Sequence, residues 1–225
     1  MSLGAASSTG RRTTTARMAD RRQQVIEAAA ALMARDGFHA VSMQAIAQRT
    51  QVSVGSLYQY FEDKDDLLLA VITSVLEVFG KDLPAAMDGI ADPVRRLAAG
   101  FDAYCRALDR HRDAAVLAYR ESRTLPRQGR RLVQQLEIDT TRPLVDAIAD
   151  GQATGILDPE VPGSLIAFDM VVLAQAWALK HWHFAALVDL DGYVATQLAV
   201  VLRSMVVPRR RSAYPDLLRR AARVS

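Results

Sequence analysis

The 225-residue chain has a single cysteine, Cys105, which excludes an internal disulfide and any multi-cysteine zinc or iron–sulfur site. Aromatic residues make up only 6% of it, while Ala, Leu, Val and Arg dominate, a bias toward helix over strand. No apolar run approaches the ~20 residues that cross a bilayer, so no membrane partner is expected. The basic N-terminal residues are not followed by an apolar segment, so no secretory signal is read there and a cytoplasmic, reducing location is expected. No glycine-rich phosphate loop occurs. Histidines are few: His181 and His183 are two apart and diverge on a helix, and His39 and His111 are remote in sequence. Cys105 has no nucleophile signature around it and suits a buried, inert thiol. No catalytic residue, metal site or cofactor is expected, and the chain is not read as an enzyme.

Half of the residues are hydrophobic and 24% are charged, the balance of a folded globular chain. The net charge of +3 conceals a polarised distribution. Residues 1–22 carry five Arg, including Arg21 and Arg22, against Asp20, a net +4. Residues 203–225 carry seven Arg against Asp216, a net +6, so the rest sums to −7. Two basic ends on an acidic body suit a polyanion at one or both ends, or simply two solvated tails.

Residues 1–18 are small, polar and basic without periodicity, and are expected to form a disordered arm. Val25, Ile26, Ala29, Leu32 and Met33 then form one apolar helical stripe ended by Gly37. Ser42 is a candidate N-cap, with Val41 and Ile46 spaced as a hydrophobic staple; Ser53, with Val52 and Leu57, repeats the device. The second of these helices is only two turns long, Val54 to about Phe61, and Asp63 caps a longer one beginning at Lys64. Three short helices with a tight turn between the last two are the helix-turn-helix plan, or a helical hairpin of an ordinary bundle. Beyond them the pattern is helical only. Asp92-Pro93 opens a helix, Pro143 falls inside another and should kink it, and Ser164–Phe184 and Gly192–Val207 are apolar on several faces.

The stretch Val52-Ser53-Val54-Gly55-Ser56-Leu57-Tyr58-Gln59-Tyr60-Phe61-Glu62-Asp63-Lys64 closely resembles the DNA-binding signature of the TetR family of bacterial transcription repressors. The resemblance runs from about Arg22 to Leu69. It implies an all-α chain of about nine helices, with an N-terminal three-helix DNA-binding domain and a C-terminal helical domain for ligand binding and dimerisation. The expected boundaries are 1–18 for the arm, 19–64 for the DNA-binding domain, 65–207 for the ligand-binding and dimerisation domain and 208–225 for a basic C-terminal tail. The third helix is then expected in the major groove. There Val54 suits a thymine methyl, Gly55 lets the main chain approach the sugar–phosphate rail, and Ser56 and Gln59 suit base edges. Tyr58 and Tyr60 suit phosphate oxygens, with core packing against Phe61 the alternative for Tyr60. Lys64 resembles the family lysine that clamps a phosphate. Ser42, Met43 and Gln44 open the second helix, whose N–H groups favour an anion, and Gln44 stands where the family often reads a base. Ser53 caps the third helix at the same interface. Thr50-Gln51 replaces the family's usual Ala-Gly, which puts a steric cost on Gln51 and directs its side chain toward DNA. Residues 23–64 sum to −1, so the basic residues before them, Arg21 and Arg22 included, are expected to supply the phosphate contacts.

One recognition helix discriminates few base pairs, so the expected partner is a near-palindromic double-stranded operator bound by a homodimer. Ser164–Phe184 and Gly192–Val207 resemble the family's dimer-forming pair; completing the monomer core is their other use. The middle helices are expected to enclose a small-molecule effector. Arg120 and Arg123, in Tyr119-Arg120-Glu121-Ser122-Arg123, either face an anion together or join an ion-pair network through Glu121. Tyr104, Tyr119, Phe168, Trp177 and His181 are further candidates for the pocket wall. The resulting expectation is a ligand-responsive regulator, most simply a repressor. An activator on the same fold, or a helical ligand-binding protein that ignores DNA, are the alternatives.

Overall fold

The computed structural model describes the main chain of residues 6–219 and the side chains of residues 17–219. Ten α-helices follow one another among them: α1 (Ala6–Asp36), α2 (Met43–Thr50), α3 (Val54–Tyr60), α4 (Lys64–Met87), α5 (Pro93–Arg110), α6 (Arg112–Glu121), α7 (Arg127–Ala153), α8 (Gly163–Leu179), α9 (His181–Phe184) and α10 (Leu190–Met205). A 3-10 helix, Pro208–Ala213, comes last, and no strand is present among the described residues, only an isolated bridge between Leu157 and Val206.

The helix starts are set by short side chains that accept from exposed main-chain N–H groups. Ser42, Ser53, Asp63, Asp92 and Asp189 cap α2, α3, α4, α5 and α10 in this way. Both expected staples form: Val41 and Ile46 are buried, and half-buried Val52 packs on the core that holds Leu57. The first helix departs from expectation. From Ala6 onward the stretch read as a disordered arm is the opening of α1, continuous with the amphipathic part. Residues 6–18 carry seven Ser, Thr or Gly and no apolar stripe, so neither propensity nor periodicity marks this stretch, and the helix extends backward from its amphipathic part. Residues 1–5, and the side chains of Arg11 and Arg12, lie outside the described ones, while the Arg17 side chain is exposed.

Helix α4 is 24 residues, about 36 Å, and joins the N-terminal helices to the body. It packs on α5 and α7, while α1 packs on both α4 and α6. One core of buried apolar residues therefore runs from Val25 and Ile46 through Leu67, Phe79 and Phe101 to Leu202. Helix α7 is continuous through Pro143, and the expected last-but-one helix is split at Lys180 into α8 and α9. The turn after α7 presses on its parent helix so closely that a Cβ at Gly151 would sit 2.6 Å from Leu157.

The C-terminal segment is not a solvated tail over the described residues. Tyr214 and Leu218 are buried, and the Tyr214 hydroxyl donates to Asp92 Oδ2 at 2.7 Å, behind the α5 cap. Arg95 pairs with Asp216 at 3.0 Å. Arg211 donates to the carbonyls of Val206 and Arg203, and Arg203 to that of Leu218. Two of the arginines counted as polyanion-seeking charge thus hold down the end of α10.

Candidate nucleic-acid interface and cavities

Helices α2 and α3 are joined by a turn in which Gln51 adopts φ 55° and ψ 38°. This is the left-handed conformation that the Gly-to-Gln departure implied, and it costs a non-glycine residue roughly 1–2 kcal/mol. The turn holds because Val52 N–H donates to Ala47 O at 3.1 Å and the Gln51 carbonyl accepts from Arg21 at 3.4 Å. The Gln51 side chain is exposed.

Helix α3 divides cleanly. Leu57 is fully buried, and Val54 and Tyr60 are half-buried against the core. Gly55, Tyr58 and Gln59 are exposed, Tyr58 by 53%, and beyond the Gly55 Cα only the Ser53 hydroxyl lies within 4 Å of an added Cβ. The Ser53 and Ser56 hydroxyls bond each other at 2.8 Å. At one end Arg21 reaches the α2–α3 turn; at the other Arg22 lies 4.9 Å above the Phe61 ring. Ser42 and Gln44 are exposed at the start of α2.

Three assignments change. Met43 is buried at 6% and packs in the core, so it cannot meet a base. Tyr60 follows its packing alternative, 6.4 Å from the Phe61 ring. Lys64 is engaged inside the fold: its ammonium donates to the carbonyls of Phe38 (3.1 Å), His39 (3.4 Å) and Val41 (3.1 Å) and lies 4.5 Å from the Phe38 ring. An ammonium has three N–H groups, and all are used in tying the α1–α2 turn to the start of α4.

In the body, α4, α5, α6, α7 and α8 surround a narrow slot of about 40 Å³, walled by residues such as Ile72, Val75, Phe79, Leu108 and Val133. Tyr104 and Tyr119 reach it, as expected, together with Glu137 and Gln175. Burial pushes the Tyr104 phenol pKa up, and Gln175 opposes that shift by hydrogen bonding. The slot meets a wider cleft of about 510 Å³ at the surface, lined by Arg120, Arg123 and Phe168; Tyr119, Glu137 and Gln175 belong to both spaces. Neither Arg120 nor Arg123 forms an ion pair among the described residues, so the network through Glu121 is absent. Trp177 and His181 are outside both linings. Trp177 is a core residue whose indole donates to Asp109 at 2.8 Å, and His181 packs edge-on against it at 5.1 Å.

Glu137 and Gln175 were missed in the sequence, although a signal exists. Glu137 stands between Val133 and Thr140 on the buried side of α7, and Gln175 between Val171 and Ala178 on α8. A polar residue on an apolar helical stripe marks a cavity wall or a polar contact. Cys105 is buried, and burial pushes its thiol pKa up, as suits an inert thiol. No cluster of metal-ligating side chains, and no helix long and apolar enough to cross a membrane, occurs among the described residues.

Residues 25–71 match the model of bacterial regulatory proteins of the tetR family, and residues 91–182 match a tetracyclin repressor-like C-terminal domain. The chain is 35% identical over 202 residues to the HTH-type transcriptional regulator HbdR of Aromatoleum sp. (strain CIB), covering 90% of this chain and 88% of that one. Its fold resembles the transcriptional regulator FadR of Bacillus subtilis in complex with stearoyl-CoA, with a TM-score of 0.72 at 18% identity over 81% of this chain and 98% of that one. It also resembles AibR in complex with isovaleryl coenzyme A and operator DNA, with a TM-score of 0.70 at 21% identity over 80% and 97% of the two chains.

Proposed function

The chain belongs to the TetR family of bacterial helix-turn-helix transcriptional regulators, and from that premise we propose that it is a homodimeric repressor released from its operator by an acyl-coenzyme A. The observation that carries the DNA-binding role is the outward face of α3. Gly55, Tyr58 and Gln59 are exposed on a helix whose back is anchored by Leu57, with Arg21 and Arg22 at its two ends. Gly55 lets the main chain close on the duplex, Gln59 offers a donor and an acceptor to a base edge, and the Tyr58 hydroxyl suits a phosphate. Gln44, Ser42, Gln51, Ser53 and Ser56 flank this face. Two copies are needed for useful discrimination, and the exposed apolar residues Leu165 of α8 and Val200 of α10 suit the second copy, with Phe168 and Val172 at the edge where that face meets the outer cleft.

The effector class follows from the two connected spaces. An acyl group suits the apolar slot, and Arg120 and Arg123 in the outer cleft suit the phosphates of a coenzyme A. Two proteins of similar fold were solved with such thioesters. A slot of about 40 Å³ must widen to take an acyl chain, which parts α4 from α6 and α7. Because α1 packs on both α4 and α6, the widening moves the DNA-binding helices relative to the body. A coupling of ~1–3 kcal/mol per site then weakens operator binding. Titration of the protein–operator complex with octanoyl-CoA tests this: the account expects release of duplex. Tight thioester binding with unchanged operator affinity would overturn it.

A further inference from the structure

Glu137 occupies the throat where the inner slot opens into the outer cleft, since it lines both spaces. It is half-buried, and its carboxylate has no hydrogen-bond or ion-pair partner among the described residues; its α7 neighbour on the same side, Val133, is apolar and buried. On its slot side the groups around it are the Tyr104 and Tyr119 phenols and the Gln175 amide, none of them cationic; Arg120 and Arg123 share only the outer cleft with it, and neither pairs with it. We propose that Glu137 is the specificity-determining residue by which this site admits coenzyme A thioesters and rejects the corresponding free carboxylates.

The physical basis is charge at one place. An acyl chain seated in the slot brings its head group to the throat. In a thioester that group is a neutral carbonyl, and the phosphates lie at the far end of the pantetheine arm, within reach of the exposed Arg120 and Arg123 in the outer cleft. In a free acid the head group is a carboxylate placed beside the Glu137 carboxylate. Two like charges in a partly desolvated throat repel strongly. Burial already pushes the Glu137 pKa up, so a second anion adds to an existing penalty. A carboxylate wasted on the wall of an apolar cavity is costly, and exclusion of the unactivated acid is what it accomplishes.

This inference rests on the acyl-coenzyme A reading above, and one experiment separates the two. Dissociation constants for octanoyl-CoA and for octanoate are measured by calorimetry on the full chain and on its Glu137→Gln, Glu137→Leu and Glu137→Asp variants. The expected result is strong preference for the thioester in the parent. That preference falls by about tenfold or more in Glu137→Gln and Glu137→Leu, which share only the loss of charge, and persists in Glu137→Asp. If the parent binds the thioester and the preference is the same in both neutral variants, this inference alone is overturned. If the parent binds no thioester, the effector class fails and this inference falls with it.

Discussion

The Lys64 ammonium has three N–H groups, and the main-chain carbonyls of Phe38, His39 and Val41 accept all three. Its charge therefore stabilises the bend between α1 and α2, and through it the platform on which α3 stands. Charge-assisted bonds of this kind are worth about 1.5–3 kcal/mol where they are shielded. Lys64→Ala should lower the unfolding free energy by about 2 kcal/mol, read as a fall in the denaturant midpoint. An unchanged midpoint together with a shallower salt dependence of DNA binding would return Lys64 to the phosphate backbone. Gln51 shows the opposite economy. Its left-handed backbone is strained, yet the turn keeps its shape because Val52 and Arg21 supply the bonds.

Among the helices, α8 carries the clearest unfinished surface. Leu165 and Val172 are each 58% exposed and Phe168 39% exposed, at spacings of three and four that put them on one side of the helix. Val200 of α10 is similarly exposed. Such a stripe is costly in water unless covered. If α8 forms the proposed homodimer interface, Leu165→Glu combined with Val172→Glu should leave a monomer in sedimentation with helix content intact. Unaltered sedimentation would remove α8 from the interface. The starts of α2 to α5 were legible in the sequence because a cap and a staple act over four or five residues, whereas α8 has no side-chain cap and its end at Leu179 was not. Ser42, Ser53, Asp63 and Asp92 each cap the helix whose start they mark. The opening of α1 was not legible, because a Ser-, Thr- and Arg-rich stretch without an apolar stripe has the composition of a tail.

Across the whole molecule, what escaped the sequence is what depends on distant partners. Lys64 meets carbonyls more than twenty residues away, the Tyr214 hydroxyl meets Asp92, and the throat joins Tyr119, Glu137 and Gln175 from three helices. Of the aromatic candidates, Tyr104 lines the slot and Phe168 the outer cleft, while Trp177 is a core residue, because an indole on a buried stripe serves a core as well as a pocket wall. The same burial gives the fold an alkaline limit. Tyr193 and Tyr214 have phenols pushed up to about 12 by burial, and Tyr104 is pushed up as well. The unfolded chain then releases these protons first, from about pH 10. Stability from these groups is intact below pH 10 and is lost as pH rises toward 12. Denaturant midpoints should be flat in this respect to about pH 9.5 and fall above it; a midpoint that rises through this window would contradict the assignment.

The central claim is that the exposed face of α3 contacts the duplex, and genomic footprinting tests it most directly. The purified parent should protect short near-palindromic segments, and a Tyr58→Ala, Gln59→Ala double variant, folded by its melting curve, should protect none of them. Equal protection by parent and variant would contradict the claim.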